Sequence, residues 1–144
     1  MPLKYKITSD LKMVYVRGTG KVTADEIMTT GTRIFTDSEW VNGFNIILDY
    51  REITELHVKT EDVEKIVAQD KRNEHLFNQS KCAIVAGSDL VFGLSRMWEA
   101  YSEDTKIKAM VFRNIEDSLR WLGMDEHVYQ TIKELPWPLR GADA

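Results

Sequence analysis

The stretch Ser88–Gly123, SDLVFGLSRMWEAYSEDTKIKAMVFRNIEDSLRWLG, decides the fold. Ser88 or Asp89 can cap a helix in which Leu90, Leu94, Trp98 and Tyr101 fall at i, i+4, i+8 and i+11, along one face of a 3.6-residue period. Ile107 to Arg113 is then an apolar strand. Asn114 caps a short helix that turns Ile115, Leu119 and Leu122 inward and ends at Gly123. Helix, strand and helix in this order belong to an α/β domain, and nothing in the run is a catalytic signature.

The same alternation extends upstream. Gly43 to Tyr50, with Phe44, Ile46, Ile47 and Leu48 almost continuous, reads as a central strand buried on both faces. Thr60 is expected to cap a helix carrying Val63, Ile66 and Val67, with Glu61 and Asp62 at its positive end, fading near Asn73 to His75. Lys81 to Gly87 is another buried strand. Leu3 to Thr8 and Leu11 to Thr19, separated by Ser9-Asp10, read as an antiparallel hairpin, and Thr23 with Glu26 stands in capping-box spacing before a helix from about Ala24 to Thr36.

Right-handed crossovers then demand an α/β fold with a mixed, mostly parallel sheet of about five strands, an N-terminal antiparallel hairpin and helices on both faces. Residues 1–123 carry this domain. Residues 124–144 belong to it as well, adding a helix over Asp125 to Glu134, the breakers Pro136 and Pro138, and a small polar tail from Leu139 to Ala144 expected to be mobile.

Of 144 residues, 43% are hydrophobic and 29% charged, the mixture of an ordered globular chain. A net charge of −4 with Lys and Arg interleaved among Glu and Asp argues against a nucleic-acid partner, because phosphate binding needs a concentrated positive field. A lone Cys82 in an apolar run excludes an intramolecular disulfide and fits a reducing compartment. Neither a signal peptide nor a spanning segment is legible, so the expectation is a cytoplasmic protein with at most peripheral membrane contact.

Sites of chemistry are scarce. Gly18-Thr-Gly20 lacks the third glycine of a dinucleotide loop and follows a hairpin, so these glycines are read as ending a strand and turning the chain. His57, His75 and His127 are scattered, which leaves no metal site, and no cofactor is implied. Ser95 sits in Gly-Leu-Ser-Arg-Met inside a helix, not in a nucleophile elbow. Asp49, Glu52 and Glu55 follow the central strand, where ligands of open α/β sheets gather, and keep an enzymatic reading as the weakest alternative. Large apolar side chains are more conspicuous. Trp40, Phe92, Met97, Trp98, Tyr101 and Met110 fall on elements expected to adjoin, either as solid core or as the wall of a ligand pocket of a few hundred Å3.

Ile47-Leu48-Asp49-Tyr50-Arg51, Ser88 to Met97, and Val111 to Asp117 with Trp121-Leu122-Gly123 together resemble the SpoIIAA-like proteins, bacterial relatives of the STAS domains of anti-sigma-factor antagonists, related in fold to CRAL-TRIO lipid carriers. The resemblance runs from Leu3 to Gly123 and implies their α/β fold; with no catalytic constellation legible, the chain is expected not to be an enzyme. From the STAS branch it implies a protein-interaction module switched by phosphorylation, but the Asp-Ser-Ser-Gly string is absent and only Thr60 offers a hydroxyl near that place. From the lipid-carrier branch it implies a small apolar or lipid-like ligand held between helices and sheet. A regulatory protein partner and a homodimer both remain open.

Overall fold

The computed structural model describes residues 2–77 and 79–137. Pro138, expected as a helix breaker, and the tail Leu139 to Ala144, expected to be mobile, lie outside the described residues. Five strands form one sheet: β1 (Leu3–Thr8), β2 (Met13–Thr23), β3 (Asn45–His57), β4 (Lys81–Ala86) and β5 (Lys108–Phe112). Their spatial order equals their chain order, with β1 antiparallel to β2 and every later pair parallel.

Because each parallel connection steps one strand further in the same direction, right-handed crossovers put the intervening helices on one face. These are α1 (Ala24–Phe35), α2 (Thr60–Arg72) and α3 (Asp89–Tyr101). Their Ile34, Val63, Val91 and Trp98 pack with Val14, Val16, Ile46, Tyr50, Cys82 and Ile84 of the sheet. The helices α4 (Ile115–Trp121) and α5 (Val128–Glu134) follow the last strand and cover the opposite face, where Ile115, Leu119 and Ile132 meet Met13, Tyr15, Ile47, Ala83 and Val85. Odd and even strand residues therefore serve two separate cores.

Local signals account for most boundaries. Thr23 and Glu26 form the capping box of α1, Ser88 accepts from the Val91 N–H at the start of α3, and Asn114 accepts from the Asp117 N–H at the start of α4. Three expectations need correction. Thr60 is the first residue of α2, not its cap. Lys59 holds that position, and its backbone N–H donates to the Asp62 carboxylate at 2.8 Å. The strand β3 runs on to His57, because Ile53 is buried while its charged neighbours face water, and its outer half pairs with β2 as far as Thr23. Finally, Gly18 and Gly20 do not end a strand. They sit inside β2 at register shifts, where Gly18 lets the Ile53 side chain approach and Gly20 adopts φ +66°.

Candidate functional site

Under α1, α2 and α3 lies a half-open apolar cavity of about 120 Å3. Its wall is built from one side of each helix: Ile27, Ile34 and Phe35 of α1, Val63 and Ile66 of α2, Leu94 and Trp98 of α3. The sheet contributes Leu48, Tyr50, Cys82 and Ile84 as its floor, and Phe77 closes one end. Small residues form part of the wall. Gly31 faces the cavity from α1, and Ser95, buried on the stripe between Val91 and Trp98, stands where that periodicity suits a Leu.

Among the described residues, Asp70 brings the wall its only charge, since no Lys, Arg or His of theirs lines the cavity. It falls on the inner stripe of α2, seven residues after Val63. Its Oδ2 accepts from the Trp98 indole N–H at 3.0 Å, and among the described residues it makes no ion pair. Burial away from water pushes its carboxyl up to about pKa 7, an effect the Trp98 hydrogen bond only partly offsets. Tyr50 and Cys82, the titratable neighbours on the floor, are both pushed upward, chiefly by burial, and stay neutral at physiological pH. Gln69 beside it donates through Nε2 to the Met28 carbonyl at 3.0 Å and ties α2 to α1.

The opposite face is closed by polar ties. The buried Asp49 accepts from Tyr15 Oη at 2.6 Å and from two Arg51 nitrogens at 2.8 Å each. Burial would raise its pKa, but these bonds and the Arg51 charge hold it below the usual carboxylate value. Arg51 also donates to Tyr129 Oη of α5 at 2.7 Å, while the buried Lys6 donates to the Leu135 carbonyl at 2.7 Å with its ammonium over the Trp137 ring. This network fastens α5 and the segment after it onto the sheet.

Of the six apolar residues picked out in the sequence, the structure places only Trp98 in the cavity wall. Met110 stands in register with Ala83, so it projects to the α4–α5 face, away from Trp98, and is exposed at the sheet edge. Tyr101, at the end of α3, is exposed. Phe92 packs under the Arg113 guanidinium 4.0 Å away, and Met97 packs against the core beside the wall. Trp40 meets Phe35 and Phe44 edge to face and donates to the Leu76 carbonyl at 2.9 Å. Thr60 is exposed in the first turn of α2. The three carboxylates of the enzymatic reading do not converge: Asp49 is engaged as described, Glu52 pairs with Arg17 at 2.6 Å, and Glu55 with His57 at 3.1 Å, both at the surface. Among the described residues no group of His, Cys, Asp and Glu could hold a metal ion, and no helix is long and apolar enough to cross a membrane.

Sequence reasoning missed Asp70, Gly31 and Ser95. The available signal was a charge and two small residues on faces otherwise reserved for apolar side chains.

A five-stranded mixed sheet with three helices on one face and two on the other defines an α/β domain of the SpoIIAA-like fold. Among solved structures, the chain is similar to an uncharacterized protein of the DUF3478 family with a SpoIIAA-like fold from Shewanella loihica PV-4. The two are 19% identical, with a TM-score of 0.53 over 83% of this chain and 91% of that one. No protein-family model and no curated protein matches this chain.

Proposed function

We propose that the protein is a non-enzymatic binding module that takes a small apolar ligand into the cavity beneath α1, α2 and α3. The observation that carries this reading is the half-open space of about 120 Å3 with an almost wholly apolar wall. An apolar cavity of about 150 Å3 in another protein stays dry and takes up benzene, so the volume here suits a ligand of that scale. It falls short of the ~300 Å3 at which pockets for larger ligands begin. A lipid-sized ligand would require the helices to part, and the reading therefore narrows to compact molecules.

Titration with benzene, followed by the methyl resonances of Ile34, Val63 and Leu94, tests it. Saturable shifts confined to the cavity are expected, together with their loss in Ser95→Leu, which fills the space from α3. Absence of such shifts in a folded wild-type protein would overturn the reading.

A further inference from the structure

We propose that the cavity's ligand is a small apolar amine, bound as its ammonium ion with the charge on the Asp70 carboxylate and the hydrocarbon against the surrounding apolar wall. The proposal rests on the reading that the cavity binds a small apolar molecule, and adds the polar group that molecule must carry.

A half-buried carboxylate in an apolar wall gains most from a cation or a full set of donors, and Asp70 receives one indole N–H besides the solvent at the open side. Among the described residues, those lining the cavity around it supply no cation: α1 contributes Ile27, Met28 and Gly31, α3 contributes Leu94, Ser95 and Trp98, and the floor contributes neutral Tyr50 and Cys82. Burial raises the Asp70 pKa to about 7, so below that pH a proton takes the missing place in the free protein.

Three classes of occupant can be compared. A hydrocarbon would fill the space but strip the carboxyl of the solvent reaching it through the open side. An anionic ligand would meet Asp70 with like charge and find no Lys or Arg in the wall. An ammonium supplies the absent cation, and Phe35, Tyr50, Phe77 and Trp98 in the wall present aromatic surface that tolerates positive charge. The amine is the class that satisfies the apolar wall and the lone carboxyl together.

Because the ammonium displaces the Asp70 proton, affinity must rise with pH through the Asp70 titration. For a ligand that stays protonated throughout, a site pKa of about 7 gives about a tenfold gain between pH 6 and pH 8.

The experiment is a set of NMR titrations of the whole chain at pH 6 and pH 8. Benzylamine is the cationic probe, toluene its uncharged counterpart and benzoate the anion, with the Trp98 indole N–H as local reporter. The expected result is that benzylamine binds at least about tenfold more tightly than toluene at pH 8. That advantage should largely disappear at pH 6 and in Asp70→Asn, whose amide oxygen can still accept from Trp98. Toluene binding with no advantage for benzylamine, or a benzylamine advantage that survives in Asp70→Asn, overturns the amine proposal and leaves the apolar-ligand reading standing. Tighter binding of benzoate than benzylamine also overturns it. Failure of all three probes overturns both. If Asp70→Asn does not fold, the pH arm on the wild-type chain decides alone.

Discussion

The Tyr15 hydroxyl donates to the Asp49 carboxylate at 2.6 Å, joining neighbouring strands β2 and β3 beneath α5. With the paired nitrogens of Arg51 on the same carboxylate, this makes Asp49 a satisfied buried anion rather than a reactive one. One face of the sheet is thus spent on fastening the C-terminal segment, and the other retains space.

Removing that anion leaves Arg51 partly buried without its partner. Asp49→Asn is expected to cost about 3 kcal/mol, and Tyr15→Phe about 1 to 2 kcal/mol, in chemical denaturation. The sign with pH follows from the depressed native pKa of Asp49. Its contribution is present above the ordinary aspartate range and is lost as acid protonates the native carboxylate. The Asp49→Asn deficit should therefore be full at neutral pH and shrink well below pH 4, and a deficit constant across that range would contradict the assignment.

Asp70 has the opposite sign. Its native pKa stands near 7 against 3.8 for an ordinary aspartate, so between these values the folded chain holds a proton that the unfolded chain has released. Stability contributed by this site falls as pH rises through that window and is lowest above it. Asp70→Asn should be more stable than the wild type at pH 8 by up to about 4 kcal/mol, and within about 0.5 kcal/mol of it near pH 4. Equal stability of the two at both pH values would show that Asp70 is solvated.

Two glycines at either end of the same short stretch should respond in opposite ways. A Cβ on Gly87 would lie 2.5 Å from the Arg51 carbonyl oxygen, so the backbone between β4 and α3 must shift, whereas a Cβ on Gly93 meets nothing within 4 Å. Gly87→Ala should destabilise by at least about 2 kcal/mol, while Gly93→Ala, in the exposed interior of α3, should stabilise by about 0.5 to 1 kcal/mol. Paired thermal melts suffice to check both signs.

Much of this architecture is legible before folding, because its signals are local. Nearly continuous apolar runs at Phe44–Leu48 and Cys82–Gly87, and side-chain caps at Thr23, Ser88 and Asn114, each act within a few residues. The outer half of β3 is harder, since Glu52, Thr54, Glu55 and His57 look like loop until β2 is seen running beside them. The cavity is harder still. Whether Met110 and Trp98 share a face depends on strand parity, and a one-residue error moves a side chain through the sheet. Gly31, Ser95 and Asp70 converge from three helices, and their convergence is a property of packing that no single helix period records.

The ties on the α5 side predict a graded loosening. Lys6 on β1 holds the Leu135 carbonyl, Arg51 on β3 holds Tyr129, and Ile132 is fully buried between those two anchors. Tyr129→Phe removes one hydrogen bond to a charged donor, a loss of about 1.5 kcal/mol, while Lys6→Met removes the other tie but keeps an apolar stem against Trp137. Each should raise amide hydrogen exchange in Val128–Glu134 by about tenfold while leaving α1, α2 and α3 near their wild-type protection. If exchange rose equally in all five helices, α5 would be an inseparable part of one cooperative unit, and the two faces of the sheet would not be independent.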